Sequence, residues 1–172
     1  MNFSEKVAIL IPVYNDATGL LQFLPRLMNE LTRSQEMWKT AEYHIVVVDD
    51  GSFNPIESLL DSIDDIPAEM KIHLLRHPIN LGQGAALQTA LEYSRDIIDC
   101  SIFVTMDSDG QHSESDIFPL LCALEQDDVD IVFGNRFANG SVIGMPMMRK
   151  FLLKSAVLFE RGLTGLNLQD AH

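Results

Sequence analysis

The sequence predicts an α/β fold, a three-layer α/β/α sandwich with a mostly parallel central sheet. Apolar segments rich in β-branched residues alternate along the chain with segments of helical period. Most of these apolar segments are nearly continuous, which is typical of parallel strands that are buried on both faces. Polar residues follow the end of each segment, where the loops of such a sheet gather around a ligand.

Five strands are predicted, because five apolar runs have the length and composition of strands. They are Val7–Val13, Tyr43–Val48, Ile72–Leu75, Ile102–Met106 and Val129–Phe133. The strands follow one another with helical segments between them, which favours parallel neighbours over hairpins.

Four helices are predicted. The first carries one apolar stripe, formed by Leu20, Leu24, Leu27 and Leu31. The second is short, Pro55–Ile63, and the third runs from about Gly84 to Ile98. The fourth follows Ser113, where Glu114 and Asp116 favour the positive end of a helix.

Length and charge limit the function. With 172 residues, the chain is long enough for one domain, and we expect residues 1–172 to form it. The net charge of -13 argues against nucleic-acid binding, which needs clustered Lys and Arg. The same acidity predicts a cation between the protein and any anionic nucleotide that it binds. Cys100 and Cys122 lack metal-site or redox spacing and are predicted to be reduced structural thiols.

We expect a cytoplasmic protein, because no apolar run approaches the roughly 18 residues that span a bilayer and no charged leader precedes the first strand. Peripheral attachment at the inner face of the membrane is left open by the segment Met145–Leu163. This segment mixes apolar residues with Arg149, Lys150, Lys154 and Arg161. It fits an interfacial helix or a core helix, and if exposed it would favour a homo-oligomer.

Two carboxylates, Asp107 and Asp109, follow the fourth predicted strand. An apolar strand offers nothing to balance buried charge, so these acids should lie beyond its end, in a loop open to solvent. Hard oxygen ligands in such a loop suit Mg²⁺ or Mn²⁺, which take their remaining ligands from water and substrate phosphates. The pattern predicts a metal-phosphate site or, alternatively, an acidic surface loop.

Three other loops, and His112 of the loop that holds Asp107, have two interpretations each. Asp49 and Asp50 could accept hydrogen bonds from a nucleobase, or could form a turn or helix cap. The segment Asn80–Gly84 could bring backbone N–H groups to an anion, or simply lead into a helix. Arg136 could pair with a phosphate or neutralise nearby acids, and His112 could bind metal or phosphate or cap a helix.

Taken together, five segments resemble the nucleotide-sugar-binding core of the family 2 glycosyltransferases. This GT-A fold group includes dolichyl-phosphate mannose synthases and related polyprenyl-phosphate sugar transferases. The segments are Pro12–Asn15, Val48–Ser52, Asn80–Ala86, Met106–His112 and Gly134–Arg136. Each is weak alone, but all five occur in order at predicted strand ends and cover most of the chain. The resemblance implies a Rossmann-like GT-A fold.

The resemblance also implies metal-dependent transfer of a sugar from a UDP- or GDP-linked donor to a polyprenyl phosphate or glycan acceptor. The residues predicted to bind the donor are Pro12, Tyr14, Asn15, Asp49, Asp50, Gly82, Gly84 and Asp107. Asp107 would face the ribose or the metal, and Asp109 would hold Mg²⁺ or Mn²⁺ on the diphosphate. Arg136 would contact a phosphate of donor or acceptor. The candidate catalytic residues are Asp109, Arg136 and Asp170.

The sequence departs from this family at its C-terminus. In relatives, an Asp placed like Asp170 introduces a segment that ends in Gly-x-Arg, and the chain stops at His172 before such a segment. We therefore expect the acceptor-side part of the family's catalytic domain to be missing.

Another class of function remains open, a non-catalytic α/β nucleotide-binding or regulatory module such as a phospho-receiver. It would use Asp49 and Asp50 as an acidic pocket. A receiver also needs an acid after its third strand and a lysine after its fifth, where this chain has Asn80 and Asn135 with Arg136. A sugar nucleotidyltransferase is a third possibility, but it usually has a glycine-rich loop after its first strand, where this chain has Pro12–Asn15.

Overall fold

The structure is a computed structural model and describes residues 6–35, 42–57, 66–68, 70–109, 112–126 and 128–134. The chain divides into two compact units, Met1–Pro119 and Leu120–His172. The sheet and all the strand-end loops considered below belong to the first unit.

The sheet has four parallel strands, β1 (Lys6–Val13), β2 (Glu42–Asp49), β3 (Met70–Arg76) and β4 (Ile102–Thr105). The first four predicted strands are confirmed, and their ends agree to within two residues. β1 and β2 are almost wholly buried, as continuous apolar runs predict. Asp49 is the last residue of β2 rather than the first residue of the loop.

The strand order is β3-β2-β1-β4. The chain moves outward from β1 to β3 and then returns to the other side of β1, so the order reverses between β1 and β4. In open α/β sheets this switch point, at the carboxyl ends of the strands, is where ligands bind. The flavodoxin-like order of receivers places β1 between the second and third strands, and this sheet differs from it.

Helix α1 (Ala17–Gln35) follows β1 and confirms the predicted leucine stripe. The members of the stripe are fully buried: Leu20, Leu24, Leu27 and Leu31. Asp16 directly precedes the helix, and its Oδ1 accepts a hydrogen bond of 3.1 Å from the backbone N–H of Gly19. A side-chain acceptor there satisfies one of the N–H groups that a helix start leaves without a partner.

The third predicted helix is confirmed as α2 (Gln83–Tyr93), which continues into a π-helical turn, Ser94–Ile98. Its small buried residues, Ala86 and Ala90, pack with Leu10 and Val46 of the sheet in one apolar cluster. Small side chains let the helix approach the sheet closely. The same apolar cluster therefore supports the start of α2 and the carboxyl ends of β1 and β2.

The fourth predicted helix is confirmed as a 3₁₀ turn, Glu114–Asp116, followed by α3 (Ile117–Leu124). Of the short helix predicted at Pro55–Ile63, only the part up to Glu57 is described, and Glu57 alone is helical there. None of the described helices has the length and apolar character needed to cross a membrane. Cys100 and Cys122 are unpaired, and burial raises the pKa of both thiols.

The fifth predicted strand is wrong. Residues 129–134 are irregular, and the side chains of Ile131 and Phe133 are largely exposed, by 69% and 62%. Strand propensity reflects how well a side chain packs on a half-buried pleated surface. An apolar run whose side chains remain in solvent gains nothing from strand geometry.

Candidate functional site

The loops after β1 and β2 are joined by two hydrogen bonds. The backbone N–H of Asn15 donates to Ser52 Oγ at 2.8 Å, and the backbone N–H of Phe53 donates to Asn15 Oδ1 at 2.9 Å. Asn15 has a left-handed backbone with φ 54°, a conformation that asparagine tolerates better than most residues. Asn15, predicted to bind the donor, therefore holds these two loops together.

Two exposed aromatic rings, Tyr14 and Phe53, stand on the joined loops. Their centroids are 6.4 Å apart and the rings are tilted by 50°. Tyr14 is 44% exposed and Phe53 is 84% exposed, while Pro12, near the end of β1, is half-buried. A cleft of about 330 Å³ opens beside the rings and is lined by Asn15, Ala17, Ser52, Phe53 and Asn54. Exposed rings beside a cleft are suited to stack on a planar base.

Asp49 is 1% exposed at the end of β2. Its Oδ1 accepts the backbone N–H of Ser52 at 2.8 Å, whereas Oδ2 is buried and accepts no hydrogen bond among the described residues. Arg76 Nη1 lies 3.3 Å from that oxygen, in the range of an ion pair but without hydrogen-bond geometry. A buried carboxylate oxygen that accepts no hydrogen bond is costly, so a ligand N–H that reached it would be bound strongly.

Arg76 is a site residue that the sequence reasoning missed. It is level with Asp49 in the β2–β3 register, and its Nη2 donates to the carbonyl oxygen of Ser52 at 3.0 Å. The sequence did hold a signal for this residue, because Arg76 directly follows the predicted strand Ile72–Leu75 in a strongly acidic chain. Arg76 thus places a positive charge beside Asp49 at the carboxyl end of β2, where its hydrogen bond to Ser52 holds it.

The carboxylate of Asp50 is hydrogen-bonded to other groups of the protein. Its Oδ1 lies 2.7 Å from His77 Nδ1 and accepts the N–H of Leu81 at 2.9 Å, and its Oδ2 accepts the N–H of Gly82 at 2.8 Å. Burial favours the neutral acid, but these hydrogen bonds outweigh it and lower the pKa of Asp50. His77 Nε2 lies 2.9 Å from Thr89 Oγ1 of α2, so the network extends into the helix.

The backbone N–H groups of the loop before α2 therefore donate to an anion within the protein, the carboxylate of Asp50. Gly82 has φ 93°, which glycine adopts without the cost of a side chain. Its N–H is used by Asp50, so it is not offered to a ligand in this structure. Gly84 lies within α2, and its predicted role in donor binding stays a prediction.

The loop after β4 holds the two predicted metal ligands. Asp107 is half-buried and Asp109 is exposed. Asp107 Oδ1 accepts a hydrogen bond of 2.9 Å from Gln83 Nε2, and its backbone N–H donates to His112 Nδ1 at 3.2 Å. Ser108 between them donates to Asp16 Oδ2 at 3.2 Å, which ties this loop to the start of α1.

The donor set fits Mg²⁺ or Mn²⁺ bound together with phosphates. Within the described ranges, no group of three or more His, Cys, Asp or Glu side chains is arranged to hold a metal alone. Mg²⁺ is commonly held by one or two carboxylates, with water and substrate phosphates as further ligands. Asp107 and Asp109 would supply those two carboxylates at the switch point of the sheet.

Two of the predicted catalytic residues, Arg136 and Asp170, lie outside the described residues, as do Asn135 and the segment Met145–Leu163. The described site is therefore the donor side of the predicted centre. It brings together Pro12, Tyr14, Asn15, Asp49 and Asp50 at the ends of β1 and β2, and Asp107 with Asp109 at the end of β4.

The fold is shared with a solved mannosyltransferase. A mannosyltransferase from Pyrobaculum calidifontis, in complex with GDP-Man and Mn²⁺, matches 70% of this chain and 32% of its own, with a TM-score of 0.54 and 19% sequence identity. At that identity the match shows an α/β fold of the GT-A type, as predicted.

Curated relatives match almost the whole chain. Polyprenol monophosphomannose synthase of Mycolicibacterium smegmatis is 27% identical over 97% of this chain and 59% of its own. Undecaprenyl-phosphate mannosyltransferase of Micrococcus luteus is 29% identical over 96% of this chain and 63% of its own. Dolichol-phosphate mannosyltransferase of Pyrococcus furiosus is 28% identical over 91% of this chain and 40% of its own. The chain thus spans 40% to 63% of the length of these relatives.

The model of the family described as glycosyl transferase family 2 matches residues 8–167, which is nearly the entire chain. The match includes every strand of the sheet and the loops at their carboxyl ends. The chain belongs to glycosyl transferase family 2.

Proposed function

We propose that this chain is the donor-binding part of a metal-dependent glycosyltransferase that moves a sugar from a nucleoside diphosphate to a polyprenyl phosphate. One observation carries the proposal: Asp49 Oδ2, a buried oxygen that accepts no hydrogen bond among the described residues, lies at the carboxyl end of β2, and the carboxylates of Asp107 and Asp109 follow the carboxyl end of β4, on the other side of β1. The first is suited to a base and the second to a metal-bound diphosphate.

The base would lie at the ends of β1 and β2. Asp49 Oδ2 would accept a ring N–H, which both uracil and guanine present, and Arg76 would donate to the neighbouring base carbonyl. Tyr14 and Phe53 would stack on the base or ribose beside the cleft. Asp50 would act through the loop that it holds instead of touching the donor.

The diphosphate would lie toward β4. Asp107 and Asp109 would hold Mg²⁺ or Mn²⁺, which, when bound, offsets the negative charge that develops on the leaving nucleoside diphosphate. Arg136 would pair with a phosphate of the donor or acceptor, and Asp170 would belong to the acceptor side. These two roles rest on the family motifs of the sequence.

Polyprenyl phosphate is the acceptor class favoured by the relatives, whose names refer to polyprenol, undecaprenyl phosphate or dolichol phosphate. A membrane-borne acceptor would bring the protein to a membrane surface.

Isothermal titration of the chain with UDP and GDP, each with and without Mn²⁺, tests the donor proposal. We expect one of the two nucleotides to bind, and Mn²⁺ to strengthen its binding. The variant Asp109→Asn, which keeps the shape of the side chain and removes its charge, should lose most of the gain from Mn²⁺. If neither nucleotide gives metal-dependent heat with the unchanged chain, the proposed function is wrong.

A further inference from the structure

Gln83 is the first residue of α2, and its side chain contacts the metal-binding candidate Asp107. Gln83 Nε2 donates to Asp107 Oδ1 at 2.9 Å, across 24 residues of sequence. This contact joins the end of β3, through its loop, to the end of β4, two strands that occupy opposite edges of the described sheet. Gln83 lies within the segment Asn80–Ala86, but the sequence predicts a role only for the glycines and backbone N–H groups of that segment.

The amide of Gln83 affects Asp107 in two ways. It fixes the rotation of the carboxylate, so that one oxygen faces α2 and the other is left for a cation. It also leaves the negative charge of the carboxylate intact, whereas a Lys or Arg donor would neutralise that charge and repel a metal. Residues that hydrogen-bond a metal ligand in this way orient it and contribute to metal affinity.

Gln83 is itself held by a buried network. Gly82, directly before it, is anchored through its N–H to Asp50 Oδ2 at 2.8 Å. Asp50 is fixed by His77 and by its own N–H, which donates to the carbonyl oxygen of Val13 at 2.8 Å. With Asp50 ionised, His77 Nδ1 donates to it, and His77 Nε2 lies 2.9 Å from the hydroxyl oxygen of Thr89. The start of α2 is therefore attached to both β1 and β3.

We propose that Gln83 is a positioning residue for the metal site, and that the Asp50 network holds Gln83 where its amide orients the carboxylate of Asp107. The proposal rests on the proposed function, because it requires Asp107 to be a metal ligand. It gives the second aspartate of the Asp49–Asp50 pair a role distinct from the first: Asp49 is available to the base, and Asp50 supports the metal side.

Gln83→Leu and a matched control, Gln88→Leu, test this inference. Gln88 lies on the same helix, and its Nε2 donates to a carboxylate oxygen of Glu92 at the same distance of 2.9 Å, also at the surface. Both variants lose an exposed hydrogen bond between an amide and a carboxylate, but only Gln83→Leu alters the candidate metal site.

Mn²⁺ binding is measured by electron paramagnetic resonance of the free ion in the presence of UDP or GDP, whichever the chain binds. We expect Gln83→Leu to weaken Mn²⁺ binding by about 10-fold or more, the usual effect of removing a group that orients a metal ligand. Nucleotide affinity without metal should stay unchanged, which a general loosening of the site would not allow. Gln88→Leu should bind Mn²⁺ as the unchanged chain does.

The outcomes separate the two proposals. If the unchanged chain binds Mn²⁺ with nucleotide and Gln83→Leu binds it equally well, Gln83 has no positioning role, while the donor proposal stands. If Gln83→Leu loses metal-free nucleotide affinity in the same proportion, its role is structural and the inference is again wrong. If the unchanged chain shows no metal-dependent nucleotide binding, both proposals fail together.

Discussion

Ser108 and Asp16 are 92 residues apart in sequence, and the hydroxyl of Ser108 donates to Asp16 Oδ2 at 3.2 Å. The other carboxylate oxygen of Asp16 caps α1 through the N–H of Gly19. One side chain thus stabilises the start of α1 and joins the loops after β1 and β4, the two strands between which the strand order reverses. This carboxylate therefore connects two of the loops that carry candidate site residues.

Gly19→Ala tests this double role of Asp16. Alanine usually stabilises a helix by about 1 kcal/mol relative to glycine. A Cβ at position 19 would, however, lie 2.2 Å from Asp16 Oδ2, so the carboxylate would have to turn away. Losing the cap costs about 1 kcal/mol. We therefore expect Gly19→Ala to leave the free energy of unfolding in urea unchanged or lower.

The double variant Asp16→Ala/Gly19→Ala supplies the control. Without the carboxylate the clash is absent, so Gly19→Ala should stabilise the Asp16→Ala chain by about 1 kcal/mol. Equal effects of Gly19→Ala in both backgrounds would show that Asp16 does not restrict position 19.

Much of the fold was predictable from local patterns. The leucine stripe of α1 and the continuous apolar runs of β1 and β2 reflect burial, which depends on the period of apolar residues. The strand-end positions of Asp49 and Asp107 followed from the same patterns. Val129–Phe133 has the same composition but is exposed, because a strand also needs a partner surface, which composition does not encode.

The different hydrogen-bond partners of Asp49 and Asp50 were not predictable from the sequence. Adjacent residues of an extended chain point in opposite directions, but sequence does not say which of them is held by hydrogen bonds within the protein. The answer depends on His77 and Gly82, which are far away in sequence and come close only through the parallel pairing of β2 with β3. Arg76 was missed for the same reason, since its partner is a register neighbour.

The stability of the protein should depend on pH through His44 and His73. Their rings are stacked, with His44 Nδ1 3.0 Å from His73 Nε2. Burial lowers the pKa of both rings, and the positive charge of Lys71 lowers both pKa values further. Lys6 also lowers the pKa of His44, whereas the negative charge of Glu42 raises it. A hydrogen bond between two ring nitrogens needs one N–H and one lone pair, so it is lost when both rings are charged.

The sign follows from linkage. The ordinary pKa of His is 6.5, and both rings are below it in the folded chain, so the unfolded chain binds protons at a higher pH. The free energy of unfolding should be highest above this value and fall as the pH drops below it, by up to about 1.4 kcal/mol per pH unit for each ring. Urea unfolding at about pH 7.5 and about pH 5.5 measures the fall.

His73→Gln is the matched variant, because glutamine can still form hydrogen bonds with His44 and with Tyr93, whose hydroxyl lies 3.3 Å from His73 Nδ1. It should reduce the loss of stability between the two pH values. The lowered pKa of Glu42 gives a loss of stability only below its ordinary value of 4.5, outside this interval. An unchanged slope in His73→Gln would contradict the prediction.

Three glycines should respond differently to alanine. Gly51 has φ +73° and a Cβ there would lie 2.3 Å from the carbonyl carbon of Ile79, whereas Gly82 has φ +93° and open space among the described residues. Gly84 has neither positive φ nor a close neighbour among those residues. In urea unfolding, Gly51→Ala should destabilise most, Gly82→Ala by about 1 to 3 kcal/mol, and Gly84→Ala not at all. Equal losses at Gly51 and Gly82 would mean that the contact with Ile79 relaxes freely.

Asp49→Asn should weaken nucleotide binding in the absence of metal. The amide keeps an oxygen for the N–H of Ser52 but replaces the buried Oδ2, which accepts no hydrogen bond from the described residues, with a donor. A hydrogen bond to a charged group contributes about 1.5 to 3 kcal/mol, so the affinity for UDP or GDP should fall by roughly 10-fold or more. Asp109→Asn provides the comparison, because it should leave metal-free affinity unchanged and reduce only the gain from Mn²⁺. If calorimetry shows the opposite assignment, with Asp109 controlling metal-free binding and Asp49 the metal effect, the base does not lie at the end of β2.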